Sequence, residues 1–397
     1  MNILVGWDNP TEADLIRMYM TVEGNGEIDV RDDRAGLLAA AAAGHWDVVL
    51  LSHTFPDQDG GFATFLALRA ALPDVPVVLG ALAEGIVNLP RFLKAGLRSY
   101  IIRDARGDFL FLLLAALESA VAAVQAEQAS KVAEVLKHEL DGVRKLQETI
   151  IPRGIRCQTG YKAVARYEPA EVSVAGGKPV VMAGGDYYEV FPADGRTLVA
   201  LIGDASGHGL KACMSIITMH TLIHMMTNNR YAESGAFVGD INRRLCDNAI
   251  VQSGGGFITL FYAAIDTDAH VMYWTSAGHP PALLHDRAND RIVPVGGNND
   301  GGLPLGITTD MGYDVMTTAI PPGGRVLIYS DGLTDALPPS AVGGGHLFGV
   351  DGICRTLAAH RHRSLDDTLD ALFHDSKAYT GGEGRHDDTS VVLVERD

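Results

Sequence analysis

Four acidic turns are the segments of this sequence best suited to chemistry. In residues 199–210 an apolar run that is typical of a buried strand ends at Asp204, and a glycine-rich turn around His208 follows. An aspartate at that point can project into a cleft, and the flanking glycines allow a ligand to approach the backbone closely. Other acidic turns recur at Gly184-Gly185-Asp186, Tyr329-Ser330-Asp331-Gly332 and Asp387-Asp388-Thr389-Ser390.

The chemistry that these turns predict is the binding of divalent cations. Carboxylates gathered at one end of a sheet repel one another unless a cation neutralises them. The turns supply oxygen ligands and lack the histidine or cysteine spacing of a zinc site, so Mg²⁺ or Mn²⁺ is the expected occupant. Two such ions can hold a hydroxide in line with a phosphoryl group. The alternative is four independent surface turns.

The predicted arrangement of strands and helices, which must position these turns, differs between the two parts of the chain. Residues 1–118 alternate short apolar strands with helical patterns, which is typical of a parallel sheet. From about residue 155 onward, strands with hairpin-like spacing and helical blocks favour an antiparallel α/β sandwich. We therefore predict a first domain at 1–118, a helical linker at 119–153 and a second domain at 154–397.

The strongest strand and helix predictions come from apolar runs and periodicity. The predicted strands are 3–6, 46–51, 75–79, 99–102, 196–203, 257–266, 270–278, 324–330 and 389–395. The predicted helices of the second domain are 207–228, 351–360 and 366–379.

Composition and charge narrow the class of protein. A formal net charge of −17 over 397 residues argues against a nucleic-acid partner and against docking on anionic lipid. The four cysteines lie far apart without metal-site spacing, as expected of reduced residues in a cytosolic protein. The first residues lack the pattern of a signal peptide, and the most apolar stretch, 109–117, is too short to span a bilayer. We expect a cytoplasmic protein without a membrane segment.

Residues 47–60, DVVLLSHTFPDQDG, combine an apolar strand with a loop that contains proline, aspartate and glycine. They resemble the third strand and the following loop of the receiver domain of response regulators, and this resemblance implies a flavodoxin-like (βα)5 fold for residues 1–118. Ser52, however, stands where a receiver accepts phosphate on an aspartate, Asp8 alone remains of the acidic pair that holds Mg²⁺, and Arg103 replaces the receiver lysine. Because a serine cannot form an acyl phosphate, we expect a pseudo-receiver that works by binding or dimerising.

The predicted linker carries an apolar stripe at helical spacing. Charged residues fill its other faces, and Pro152 and Gly154 end the pattern. Such a stripe is either the seam of a coiled-coil dimer or the packed face of a single helix, and Gln128 and the frequent alanines weaken the seam. We favour a homodimer. The stripe consists of Val121, Val124, Gln128, Val132, Leu136, Leu140, Val143, Leu146 and Ile150.

A series of motifs lies in order within residues 160–395. The motifs are GGDYYEVF at 184–191, LIGDASGHG at 201–209, FITLFYAAID at 257–266, TSAGHPPALL at 275–284, GLPLGI at 302–307, LIYSDGLTDA at 327–336, LFG at 347–349 and DDTSVVLV at 387–394. With these motifs, residues 160–395 resemble the catalytic domain of the metal-dependent protein phosphatases of the protein phosphatase 2C superfamily, in the bacterial branch typified by the sporulation phosphatase SpoIIE. The preceding segment LQETIIP at 146–152 resembles the helical linker of that branch. The resemblance implies an α-β-β-α sandwich of antiparallel sheets.

The resemblance assigns metal ligands position by position. Asp204 would bridge two Mn²⁺ or Mg²⁺ ions, with the backbone carbonyl of Ala205 as a further ligand. Asp186 would bind one ion, and Asp331 and Asp387 the other. The family removes phosphate from phosphoserine or phosphothreonine by direct attack of metal-held water, without a covalent enzyme intermediate.

Other positions carry secondary expectations. Asp388 would orient its neighbour or hold water, and Asp335 would either touch a third, weaker ion or cap a helix, which we favour. His208 is the nearest candidate by sequence to give the leaving serine oxygen its proton, or it only shapes the turn; His279 is expected to pack structurally. Residues 171–182 are an insertion relative to the family, which either extends a hairpin or contacts a partner.

The resemblance implies a serine/threonine phosphatase controlled by the pseudo-receiver and the linker. In this branch the usual substrate is a small phosphorylated anti-anti-sigma (STAS-like) protein of a partner-switching pathway. The alternative is a non-enzymatic adaptor, in which the metal ligands are lost and the domain binds a sigma factor or another regulator. The aspartates retained at 186, 204, 331 and 387 favour the enzyme.

Overall fold

The computed structural model describes residues 1–22, 26–104, 106–152, 154–172, 180–181, 183–207, 209–226, 232–252, 255–297, 300–338, 346–381 and 387–397. The chain divides into two compact units, Met1–Leu136 and Lys137–Asp397. The boundary falls inside a helix, α5, that runs over Leu110–Ile150. The three-domain division drawn from the sequence stays a prediction.

The first unit is built on a five-stranded parallel sheet. Its strand order β2-β1-β3-β4-β5 is that of flavodoxin-like doubly wound sheets. The strands form from apolar runs of the sequence. All of β3 is buried, as expected when helices cover both faces of a sheet. The predicted N-terminal parallel sheet is confirmed, and the receiver resemblance stays a prediction. The elements are β1 (Ile3–Gly6), α1 (Pro10–Val22), β2 (Ile28–Arg31), α2 (Arg34–Ala43), β3 (Val48–Ser52), α3 (Gly61–Ala71), β4 (Val77–Leu82), a 3-10 helix (Ala83–Asn88), α4 (Leu89–Lys94) and β5 (Ser99–Arg103).

The positions that depart from the receiver pattern meet in one polar cluster. The buried Arg103 guanidinium donates to Asp8 Oδ1 over 2.9 Å, to Ser52 Oγ over 2.6 Å and to Glu12 Oε2 over 3.0 Å. Its central carbon lies 4.6 Å from the centroid of the Trp7 ring. Arg103, the last residue of β5, thus neutralises the carboxylates of Asp8 and Glu12.

Helix α5 joins the two units. Among the described residues, α5 is the one helix that is long and apolar enough, by length and composition, to cross a membrane. The sequence analysis predicted no such segment. Helices that pack in a core meet the same criterion. Leu113, Leu117 and Ala120 of α5 are buried in the core of the first unit, which accounts for part of the apolar character.

The apolar stripe predicted for the linker lies on α5. Four of its members, Val132, Leu136, Leu140 and Leu146, have exposed side chains. An apolar stripe that stays exposed on a long helix is available to a partner helix.

Two antiparallel five-stranded sheets form the core of the second unit, as predicted. Their strand orders are β15-β12-β11-β10-β9 in the first sheet and β14-β13-β16-β17-β6 in the second. The strands are β6 (Tyr161–Glu168), β9 (Asp186–Pro192), β10 (Thr197–Ala205), β11 (Ile258–Asp266), β12 (Val271–Ala277), β13 (Leu283–Asp286), β14 (Arg291–Pro294), β15 (Met316–Ala319), β16 (Arg325–Tyr329) and β17 (Thr389–Arg396).

A short hairpin lies outside these sheets. It consists of β7 (Glu171–Val172) and β8 (Val180–Val181), which pair antiparallel within the predicted insertion. The rest of that insertion, residues 173–179 and 182, lies outside the described residues.

Helices cover the outer face of each sheet. Residues 198–202 of β10 are all apolar because both faces of the strand are buried. Val199 and Leu201 pack in the core under the helices, whereas Leu198, Ala200 and Ile202 pack between the two sheets. This is the predicted α-β-β-α sandwich. The helices are α6 (Leu210–Met225), α7 (Ser234–Cys246) and α8 (Ala249–Gln252) on the first sheet, and α9 (Gly349–Ala359) and α10 (Leu365–Tyr379) on the second.

Candidate metal centre

Strand register places Asp186 and Asp204 side by side at one end of the first sheet. Asp186 opens β9, and Asp204 is its directly opposite partner on β10. The amide of Ala205 donates to the Gly185 carbonyl over 2.8 Å, which extends the pairing into the turn. Directly opposite residues of an antiparallel pair point to the same face, about 5 Å apart. The two carboxyl groups therefore face the same side of the sheet.

The second sheet brings its acidic turns to the same place. Asp331 follows the end of β16, and Asp387 precedes the start of β17. Because these strands pair antiparallel, with Tyr329 opposite Val391, the end of one lies beside the start of the other.

A buried serine connects the two sheets at the centre. Ser330 Oγ donates to Asp186 Oδ2 over 2.6 Å and accepts from the Ser390 amide over 2.9 Å. The Asp186 carboxylate is thus fixed by a residue of the other sheet. The side chains of both sheets form one site.

Asp388 is held by backbone donors. Its Oδ2 accepts from the Gly185 amide over 2.6 Å, and its Oδ1 accepts from the Ala170 amide over 2.9 Å. A carboxylate that accepts two amides is restrained in orientation, which fits the supporting role expected from the sequence. A Cβ at Gly184 would lie 2.4 Å from Asp388 Oδ2, so the turn beside it requires glycine.

Burial and mutual repulsion raise the pKa of the carboxyl groups. Burial, followed by the charges of Asp331 and Asp387, raises the pKa of Asp204 to about 8. Burial and the charge of Asp387 raise the pKa of Asp331 to about 6, and burial and the charge of Asp204 raise the pKa of Asp186 well above its ordinary value. Each shift reports the cost of burying a carboxylate and of holding like charges together, which a cation offsets. This oxygen-only donor set fits Mg²⁺ or Mn²⁺.

The remaining predicted site residues differ in placement. Asp387 is exposed at the rim, and its charge acts on both Asp204 and Asp331. The predicted catalytic residue His208 lies outside the described residues. Asp335 is exposed and residues 336–338 are not helical, so the expected helix cap is wrong; the Asp335 charge instead adds to the raised pKa of Asp331.

One buried contact, made by Gln147 of α5, was not predicted from the sequence. Its Oε1 accepts from the Gly184 amide over 2.8 Å, and its Nε2 lies 3.1 Å from the Gly184 carbonyl and 3.3 Å from the Asp186 carbonyl, donating to both. The linker helix thus holds the turn that carries a predicted metal ligand. Gln147 is a polar residue four positions after Val143 of the apolar stripe, and the only signal of its role was the resemblance of residues 146–152 to the branch's linker.

His279 is buried beneath the centre, where it bridges two strands. Its Nε2 donates to the Tyr329 carbonyl over 3.1 Å, which leaves Nδ1 to accept from Thr259 Oγ1 over 2.9 Å. Thr259 is the register partner of Asp204, and Tyr329 precedes the Asp331 turn. The ring therefore supports both acidic strand ends, as its predicted structural role requires.

Protonation of His279 should weaken the fold in acid. Burial lowers the pKa of His279 to about 4 from its ordinary value of 6.5, so between these pH values the unfolded chain binds the proton and the native chain does not. The free energy of unfolding should fall by about 3 kcal/mol as pH drops through this range. Urea titrations of wild type and His279→Gln measure the difference, since glutamine keeps a donor and an acceptor but does not titrate. The exposed His362→Gln is the control, and equal pH dependence in all three proteins would contradict the assignment.

Comparison with known families identifies the class of the second unit. The family model "Stage II sporulation protein E (SpoIIE)" matches residues 194–397, just over half of the chain. The chain belongs to the SpoIIE family. Asp204, Asp331 and Asp387 fall within the matched residues, and Asp186 precedes them.

Individual relatives match beyond that region. Phosphoserine phosphatase RsbU of Bacillus subtilis (strain 168) is 24% identical over 318 residues, which cover 79% of this chain and 86% of RsbU. Protein IcfG of Synechocystis is 23% identical over 283 residues, and the match spans only 41% of that longer protein. The SiaA-PP2C domain of Pseudomonas aeruginosa has 16% identity and a TM-score of 0.54, covering 67% of this chain and 99% of that domain. This likeness shows a PP2C-like fold.

Proposed function

We propose that this chain is a metal-dependent protein phosphatase that hydrolyses phosphoserine or phosphothreonine on a regulatory protein. The observation that carries the proposal is the convergence of Asp186 and Asp204 from one sheet with Asp331 and Asp387 from the other. Membership of the SpoIIE family and the similarity to a relative named phosphoserine phosphatase support it. An adaptor would have no need to retain this costly cluster of carboxylates.

The chain's own residues prepare the centre for its ions. Asp186, Asp204, Asp331, Asp387 and the Ala205 carbonyl would hold two Mn²⁺ or Mg²⁺ ions, which supply Lewis-acid stabilisation of the phosphoryl group and activate water. Ser330 orients Asp186 from the opposite sheet, and hydrogen bonds of this kind preorganise ligands before binding. For His208 we propose proton donation to the leaving serine oxygen.

Hydrolysis assays test the proposal. The full chain is incubated with a phosphoserine peptide and with a generic phosphate ester, in Mn²⁺, in Mg²⁺ and in excess chelator. We expect turnover that stops with chelator and returns when Mn²⁺ is restored. Turnover that persists in chelator would contradict the metal requirement. Absence of turnover together with absence of Mn²⁺ binding in calorimetry would favour the adaptor.

We further propose that the first unit and α5 regulate this activity, that the substrate is an anti-anti-sigma-type phosphoprotein, and that the chain dimerises through α5. The exposed apolar stripe supports dimerisation, since solvent exposure of four large apolar side chains is unfavourable. The double variant Leu136→Glu, Leu140→Glu should sediment as a monomer under conditions in which wild type sediments as a dimer. A wild-type monomer at all concentrations would contradict the seam.

The first unit is proposed to act by binding alone. Ser52 accepts a hydrogen bond from Arg103 at the point where a receiver would carry its phosphorylated aspartate. Incubation with acetyl phosphate should therefore leave the mass of the chain unchanged. A phosphorylated Asp8 or Asp47, detected by mass spectrometry, would contradict a pseudo-receiver.

A further inference from the structure

We propose that Glu189, His220 and His224 form a second metal site, selective for Zn²⁺ or a similar transition-metal ion, between β9 and α6. One ligand atom from each of the three side chains lies within 4.8 Å of the other two. The site is chemically distinct from the acidic centre, and the proposal does not rest on phosphatase activity.

The backbone fixes this arrangement. His220 and His224 are four residues apart on α6, so they lie on the same face of the helix, and their ring centroids are 4.4 Å apart. Glu189 reaches them from β9, where its Oε1 lies 2.9 Å from His224 Nε2. Two rigid elements therefore present three donors to one point.

The side-chain alternation of β9 separates this site from the acidic centre. Tyr187 packs in the core under the helices, whereas Tyr188 packs in the core between the sheets. Successive side chains of a strand point to opposite faces, so Glu189 faces α6 together with Tyr187, and Asp186 faces the second sheet. The hydrogen bond from Ser330 to Asp186 agrees with this division.

The donor set and its surroundings suit a transition metal. Two imidazoles and one carboxylate on a helix and a strand are a common zinc donor set, and they leave a fourth position for water. Tyr187 Oη donates to Glu189 Oε2 and lies 2.8 Å from His220 Nδ1, which supplies the outer hydrogen bonds that orient ligands.

Access and charge are also favourable. The Glu189 side chain is 10% exposed, whereas His224 is 48% exposed, so the site opens to solvent on one side. A buried carboxylate gains more from a dication than from a hydrogen bond alone. The other interpretation is a metal-free hydrogen-bond network that only fastens α6 to the sheet.

Zinc titration of the full chain tests the proposal. The chain is produced without a polyhistidine tag, and the Asp204→Asn variant is used so that the acidic centre is impaired and its catalytic state does not enter the measurement. Calorimetry should show one Zn²⁺ per chain, and Co²⁺ in its place should give the intense visible bands of four-coordinate cobalt. Adding His220→Ala and His224→Ala should weaken binding by roughly 100-fold or more. His374→Ala, on the exposed face of α10, should leave binding unchanged.

Two results would overturn the second site. One is the absence of Zn²⁺ binding at micromolar concentrations in the Asp204→Asn chain. The other is equal Zn²⁺ affinity with and without the two histidines. If the double histidine variant does not fold, the single variant His224→Gln, at a half-exposed position, gives the same comparison.

Discussion

The Asp204→Asn variant should lose phosphatase activity by roughly a thousandfold and yet unfold less readily in the absence of divalent ions. The loss of activity is expected because Asp204 is the proposed bridge between the ions, and asparagine supplies only one neutral oxygen. The gain in stability follows from the raised pKa of Asp204, about 8. When the pKa of a carboxyl is higher in the native state than in the unfolded state, the free energy of unfolding falls as pH rises above the unfolded pKa.

The two effects of Asp204→Asn are measured on the same protein. In chelator near neutral pH, the variant should gain on the order of 1–3 kcal/mol in the free energy of unfolding. Added Mn²⁺ should stabilise wild type and not the variant, because only wild type binds it well. Asp268→Asn, in the exposed hairpin between β11 and β12, is the matched control. A variant with wild-type turnover would contradict the bridging role.

Gln147→Ala should lower kcat/KM by roughly 10- to 100-fold and weaken Mn²⁺ binding. The substitution removes three hydrogen bonds to the turn of Gly184 and Asp186, and it leaves buried backbone groups without their partner. The backbone that carries the proposed ligand Asp186 is then held less firmly beside Asp204. Helix α5 also carries the exposed stripe, and we propose that the helix acts on the acidic centre through this contact.

A metal titration separates this role from simple loss of stability. Raising Mn²⁺ should partly restore turnover of Gln147→Ala, since the ligand is mispositioned and not removed. Gln128→Ala, exposed on the same helix, should behave as wild type. An unchanged half-saturating Mn²⁺ concentration in Gln147→Ala would contradict positioning through the turn.

Much of the fold could be predicted because its strands are apolar on both faces. The apolar runs that became β3 and β10 are covered on both sides, and such strands are recognisable without an alignment. Strands with weaker patterns were missed. β2 (Ile28–Arg31) is short and half polar, and the apolar pattern of β9 is interrupted by Asp186 and Glu189.

The acidic residues of the candidate site could be predicted from the sequence, whereas the residues that hold them in place could not. Carboxylates in glycine-flanked turns at strand ends indicate a cation whatever the topology. The contact from Ser330 to Asp186 joins residues 144 positions apart and depends on how the two sheets pack. Gln147 and the Arg103 cluster are likewise consequences of tertiary packing, which periodicity does not encode.

Diffraction from crystals soaked in Mn²⁺, measured at a wavelength where manganese scatters anomalously, tests the central claim most directly. Two anomalous peaks are expected among the carboxylates of Asp186, Asp204, Asp331 and Asp387, with Mn–O distances of about 2.1 Å. Asp204 should contact both ions, and both peaks should weaken or vanish in Asp204→Asn. The absence of anomalous peaks among these four carboxylates, in crystals that bind Mn²⁺ elsewhere, would contradict a two-metal centre.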